Sequence, residues 1–239
     1  MSALVPSGLR AYLKQSRDLL TSLVLILPLF VAYQIGVLTT GGVRNGVDFM
    51  TDALLLLTGR DLSLYLAVNA LLLVVLLALI AGLRGRGSFH PRIFPWVLIE
   101  SSVYALFFGA AVGALANLLG LSGLLAAGTA TNKLVLSIGA GLYEELVFRL
   151  FLMGGLFAVG TRLLGLPRWA AAAAALLISS FLFSAVHHMG SLGEPFTVEA
   201  FTYRFLAGLL LAGIFYFRGL AVAVYTHALY DVLVMVVRG

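Results

Sequence analysis

A chain of 239 residues that is 62% hydrophobic and 10% charged stands far from the roughly 25% charged composition of soluble domains. With a mean hydropathy of +1.07, it reads as an all-α polytopic membrane helix bundle, a single membrane domain over 1–239 with no room for a sizeable soluble domain beside it. Cysteine is absent, which excludes disulfides and thiolate metal sites, and the net charge of +5 does not argue for nucleic acid, because the basic residues are scattered at helix ends as topology signals are.

Residues 1–18 are polar and basic (Arg10, Lys14, Arg17) and predict a short interfacial helix. The first apolar run, about 20 residues long, lacks a small-residue cleavage site and reads as membrane helix 1, Leu19–Leu38, kinked at Pro28. Gly41, Gly42 and Gly46 mark a loop, and Val47–Leu57 is an amphipathic piece too short to span. Helix 2 covers Leu62–Leu83 and stops at Arg84 and Arg86. Helix 3, about Phe94–Leu119, opens on Pro95 and the interfacial anchor Trp96. Within it, Glu100 reads as a helix-start or interfacial carboxylate, and Gly109 and Gly113 read as a close-packing face if they face another helix.

A Gly/Ser/Thr-rich loop (120–131) leads to helix 4, about Asn132–Val159. Helix 5 follows Pro167 and Trp169, crosses an alanine run and ends at His187 and His188. Helix 6 is about Phe201–Phe217 and helix 7 about Gly219–Val237. Seven helices with a cytoplasmic N-terminus place nine Lys or Arg inside against five outside, the bias of the positive-inside rule.

Helix 4 carries Glu144, Glu145 and Arg149 inside an otherwise apolar run. Each such charge costs roughly 2.5–3.5 kcal/mol at a membrane centre on insertion scales, so the bundle interior must use them. Residues four apart share a helix face. Glu145 and Arg149 therefore read as a buried pair positioning helix 4, and Glu144, about 100° around the helix, points elsewhere. By the same spacing Phe183 and His187 share a face, as do His227 and Asp231. The arrangement that costs least turns all these groups towards one hydrated cavity.

Such a set supports hydrolysis. Glu144 with His187 holds and deprotonates a water, while His227 with Asp231 stabilises an oxyanion or protonates a leaving amine. Glu144, His187 and His227 are equally of the right type to bind one divalent metal such as zinc, although the HExxH spacing of common zinc proteases is absent. The cofactor is thus none or one such metal. No serine or threonine stands out as a nucleophile, Ser184 being only weakly linked to His187. Tyr143, Phe148 and Phe183 read as cavity walls, Gly208 and Gly213 as packing positions, Asn69 and Asn117 as interhelical hydrogen-bonding groups, and His188 as an interfacial neighbour of the site.

Glu-Glu-xxx-Arg (144, 145, 149), Phe-xxx-His (183, 187) and His-xxx-Asp (227, 231) resemble the three motifs of the CPBP, or Abi, intramembrane proteases, which include the type II CAAX-prenyl endopeptidases and bacteriocin self-immunity proteins. The resemblance covers the second half of the chain, 132–239 as a catalytic core, while 1–131 match as generic membrane helices. It implies a glutamate-dependent endopeptidase that cuts near the C-terminus of a lipidated, CAAX-like or membrane-bound protein or peptide. In it Glu144 is the base, His187 helps hold the water, and His227 and Asp231 form the oxyanion side. The family's last motif often ends in Asn where this chain has Asp231. Some members have eight helices, and prenyl-protein proteases act on cytoplasmic substrates, whereas the charge rule puts this site in the outer half of the membrane. The expected setting is the plasma membrane of a prokaryote, with lipid and a membrane-embedded substrate as partners and no nucleic acid.

Two readings from other classes compete. Intramembrane Glu, His and Asp also mark proton-coupled transporters, but the inverted repeats and matched broken helices of transporters are not evident. A non-catalytic immunity or scaffold protein of the same fold has no reason to keep four costly polar groups. Transport depends on a proton gradient; proteolysis does not.

Overall fold

The computed structural model describes residues 7–40, 61–85, 90–120, 129–189 and 193–237. The loop glycines 41, 42 and 46, the amphipathic piece 47–57, Arg86 and most of the loop at 120–131 lie outside the described residues. Within them the chain is helical: α1 (Ser7–Gln15), α2 (Leu19–Thr39), α3 (Leu62–Leu83), a short 3₁₀ turn (Pro91–Ile93), α4 (Phe94–Leu118) and α5 (Ala130–Glu144). A π-helical segment (Glu145–Met153) follows α5 directly, then α6 (Gly154–Arg162), α7 (Arg168–Val186), α8 (Val198–Arg218) and α9 (Leu220–Val232), which ends in a second π segment (Leu233–Val237).

Capping explains where several of these begin. Asp18, Asp61, Thr129 and Thr197 each accept a backbone N–H of the first turn, satisfying donors that an apolar helix end otherwise leaves open. Pro167 precedes α7 and stops the preceding chain from continuing as helix. Pro28 lies within α2, which runs on to Thr39.

Among the described residues, five helices are long and apolar enough to cross a membrane: 19–39, 66–83, 94–115, 168–186 and 198–218. The two others read as spans from sequence are composite. Residues 130–162 run without a break through α5, the π segment and α6, and the last helix is α9 with its π extension. Large apolar side chains stay exposed on the outside, among them Leu71, Val74, Leu106, Phe107 and Leu177. This is the surface of an integral membrane protein, whose outer face meets hydrocarbon rather than water.

At the centre, α9 packs on α5, α4, α2 and α8. One apolar core joins Leu23, Ile26, Phe30 and Tyr33 of α2 to Leu142 of α5 and Val222 and Val224 of α9; a second joins Phe108 and Val112 of α4 to Leu211 and Tyr230.

Close approach depends on particular glycines. A Cβ on Gly141 would lie 2.5 Å from the backbone N of Ala228, and one on Gly36 would lie 2.5 Å from Val135. Of the glycines read as packing positions, Gly208 serves as expected, its missing Cβ leaving room for Phe183 at 3.1 Å. Gly113 and Gly213 face open space and Gly109 makes only ordinary contacts, so the expected close-packing face on helix 3 is not formed. Asn69 does bridge helices, accepting from Gln34 and Tyr143 at 2.9 Å each. Asn117 is exposed near the end of α4 instead.

The interfacial α1 is held by a polar cluster. Glu100 accepts from Tyr12 and from Arg218 Nε at 2.5 Å and Nη2 at 2.9 Å, and Arg218 also donates to Ser16 Oγ at 3.1 Å. Glu100 is therefore a partner for α1 and α8 rather than a free interfacial charge. Burial and the neighbouring Glu100 carboxylate together push the Tyr12 hydroxyl above its usual pKa. Beside the cluster, Gly219 turns the chain from α8 into α9 at φ +94°, and a Cβ there would lie 2.6 Å from Ser16 O.

Candidate functional site

The close pass of Gly141 against Ala228 sets the site. It brings α5 and α9 together where Glu144 ends one helix and His227 lies in the middle of the other. Immediately after Glu144 the helix widens into the π segment, a device that occurs mostly as short stretches at functional sites. The widening leaves backbone carbonyls to satisfy, and Ser179 of α7 donates to Phe148 O at 2.6 Å.

Six charged or ionisable side chains gather there, all buried: Glu144, Glu145, Arg149, His187, His227 and Asp231. Glu145 is the hub of one half, its Oε2 3.3 Å from Arg149 Nε and its Oε1 accepting from His227 Nδ1 at 2.9 Å. The Arg149 guanidinium also lies over the Phe183 ring at 4.7 Å, a favourable cation–π contact in a desolvated place.

Glu144 is the hub of the other half. Its Oε1 is 3.5 Å from His187 Nε2 and its Oε2 is 3.8 Å from His227 Nε2. His187 Nδ1 donates to Phe183 O at 2.7 Å; a carbonyl only accepts, so the proton sits on Nδ1 and Nε2 is the atom presented to Glu144. His227 is oriented the same way, with Nδ1 tied to Glu145 and Nε2 towards Glu144 and towards Asp231 Oδ2 at 3.6 Å. Both imidazoles are thus fixed from behind, and both turn Nε2 to one carboxylate. Phe183 packs edge-on to both rings, at 4.8 Å and 6.3 Å between centroids.

A cavity of about 100 Å³ opens on Glu144, His187, His227 and Asp231, room for a few waters at roughly 30 Å³ each. Towards its mouth stand Tyr203, Arg204 and Glu194. Arg204 makes a two-point ion pair with Glu194, its Nε bond measuring 3.1 Å, and Tyr203 shares a 3.0 Å hydrogen bond with Tyr230.

The structure brings together every site residue expected from sequence, while two of the three expected cavity walls lie elsewhere. Phe183 lines the cavity, but Phe148 is buried behind it, ring to ring at 5.4 Å. Tyr143 is no cavity wall: it points into α2 and α3, donating to Asn69 and packing on Tyr33, because adjacent helical residues diverge by about 100°. Ser184 donates to Phe201 O at 2.7 Å and ties α7 to α8. His188, beside the site, stacks on Phe201 and bonds Glu194 O at 3.2 Å. Sequence reading missed Glu194, Tyr203 and Arg204. Their signal was faint: Arg204 is one of three charges, with Glu199 and Arg218, in an otherwise apolar helix.

Metal binding is open to a geometric test. Glu144, His187 and His227 are of the right chemical type, but among the described residues no group of three or more His, Asp or Glu is gathered as a metal-ligand set. As placed, the two imidazoles and the carboxylate face one another.

Fold and site together define a polytopic membrane protein with a desolvated Glu/His centre built from three non-adjacent sequence segments. Residues 126–233 match the family model described as Rce1-like, type II CAAX prenyl endopeptidase, a range that contains all three motifs. The match spans a little under half of the chain, and over that range the chain is similar to the type II CAAX prenyl endopeptidases. No curated protein and no solved structure matches.

Proposed function

We propose that the chain is a glutamate-dependent intramembrane endopeptidase that cuts near the C-terminus of a lipidated, CAAX-like or membrane-bound protein or peptide. The observation that carries this reading is the convergence of two Nε2 atoms, from α9 and the end of α7, on the single carboxylate of Glu144 at 3.8 and 3.5 Å.

Glu144 and His187 Nε2 hold a water between them. Glu144 takes one of its protons as the oxygen attacks the scissile carbonyl carbon, and the carbonyl oxygen becomes the oxyanion of a tetrahedral intermediate. His227, with Nδ1–H held by Glu145 and a proton on Nε2, donates to that oxyanion; Asp231, 3.6 Å away, steadies the imidazolium. The proton carried by Glu144 passes to the leaving amine as the C–N bond breaks, so the carboxylate is regenerated. Low dielectric around the site strengthens each of these contacts.

The test is cleavage of a lipidated peptide and a non-lipidated control by the purified protein in detergent. Wild type cleaves without a proton gradient and with chelator present, and Glu144→Gln loses about 10²–10⁴-fold in rate while its unfolding midpoint holds. Full activity in Glu144→Gln sinks the mechanism. Loss of activity in chelator makes Glu144, His187 and His227 a metal set, and a requirement for a gradient favours transport.

A further inference from the structure

A cavity larger than the one at Glu144 lies elsewhere in the bundle. A groove of about 350 Å³ lies beyond the π segment, lined by Leu150, Met153, Phe157 and Phe215 with Arg17 and Arg168 among its borders. Its floor is apolar. Both arginines are exposed, and no carboxylate lines the groove. Asp18, next to Arg17 in the chain, is engaged as the cap of α2, accepting from Thr21 N at 2.8 Å and Thr21 Oγ1 at 2.9 Å. The Arg168 guanidinium lies over the Phe157 ring at 5.5 Å, which holds the charge at the groove rather than letting it swing into solvent.

Two features say what fits. An apolar slot at a bundle surface accepts a hydrocarbon chain, and a pair of guanidiniums above it requires an anion. The groove also lies at the helix ends that carry Arg17 and Arg168, the side the positive-inside rule assigns to the cytoplasm, where anionic lipids give the leaflet its negative potential. One molecule combines an anion and an acyl chain in that place.

We propose that this groove binds one anionic phospholipid, its phosphate between Arg17 and Arg168 and an acyl chain along Leu150, Phe157 and Phe215. Leu150 and Met153 belong to the π segment that begins at Glu145, so the bound chain braces that segment from a groove that shares no lining residue with the Glu144 cavity. The site is independent of the peptidase reading, and its test measures no cleavage.

The experiment is native mass spectrometry of the detergent-purified chain with added phosphatidylglycerol or phosphatidylcholine, in parallel with thermal unfolding. A basic residue near a membrane surface contributes roughly fivefold to the affinity for an anionic lipid, so the pair predicts a preference of roughly 25-fold for phosphatidylglycerol in the most tightly held lipid. Arg17→Gln and Arg168→Gln each lower that preference, and together they remove it. Arg10→Gln with Lys14→Gln, which removes the same charge elsewhere, leaves it unchanged. Phosphatidylglycerol raises the wild-type unfolding midpoint and does not raise that of the double arginine variant. Leu150→Trp, which fills the slot, lowers retention of the same lipid with both arginines intact.

Equal retention of the two lipids by wild type overturns the proposal, as does an undiminished preference in the double arginine variant. Equal loss in the Arg10/Lys14 control also overturns it, by reducing the effect to net charge.

Discussion

The Glu145–Arg149 pair offers the sharpest quantitative test of how the site is held. Both side chains are 0% exposed and their charged atoms are 3.3 Å apart. At that distance and an effective dielectric of about 20 their attraction is about 5 kcal/mol, most of it spent on the water both ions gave up. Removing one charge forfeits the attraction and leaves the other ion's desolvation uncompensated. Glu145→Gln, which still offers His227 an oxygen, should cost about 3–5 kcal/mol, and Arg149→Met about the same. The double variant leaves neither ion and should be more stable than either single one. At roughly 2–4 °C per kcal/mol for a chain of this size, each single variant should lower the unfolding midpoint in detergent by roughly 6–20 °C. The assay is a double-mutant cycle on unfolding midpoints or denaturant curves. Single effects that simply add, within about 0.5 kcal/mol, would refute the claim that the two charges compensate each other.

Gly141→Leu should separate α5 from α9 and abolish activity, because its side chain meets the backbone of Ala228 and overpacking costs about 1–3 kcal/mol or more. Gly213→Ala, with nothing within 4 Å of its new Cβ, should change neither melting nor cleavage. Glu100→Gln should release α1, at a cost of about 1–3 kcal/mol for the broken charged hydrogen bonds; the readout is faster protease nicking between α1 and α2 with the Glu144 site intact. Arg204→Ala leaves Glu194 unpaired at the cavity mouth and should speed amide hydrogen exchange in the 193–197 stretch.

Much of the site was legible because charge in an apolar run has no bland explanation. Glu144, Glu145 and Arg149 stood out against their neighbours, and fourfold spacing correctly paired Glu145 with Arg149 and His227 with Asp231. Helix 2 was readable to its ends, Leu62–Leu83, since an aspartate cap and an arginine-glycine stop bracket it. The π segment was not legible, because its residues are the same good helix formers that make an α-helix and only the tertiary setting selects the wider turn. The glycines failed for a similar reason: Gly109 and Gly113 carry a motif and Gly141 does not, yet which glycine faces a backbone depends on which helices meet. The Tyr12–Glu100–Arg218 cluster joins residues up to 206 positions apart, and no local pattern reports such a contact. Tyr143 precedes Glu144 by one residue, about 100° around the helix, and so faces α2 and α3 rather than the cavity.

The hydrogen bond from His227 to Glu145 spans 82 residues of sequence, and this bears on how the protein is made. The segment carrying Glu144, Glu145 and Arg149 leaves the ribosome well before α9. Until α9 arrives, Glu144 lacks one of its two imidazole partners and Glu145 lacks His227, and both stay costly to leave in hydrocarbon. Completion of the Glu144 site is therefore gated by the arrival of α9. A chain cut short before His227 would present the translocation machinery with a half-neutralised segment, and the cell with a natural mark of an unfinished product.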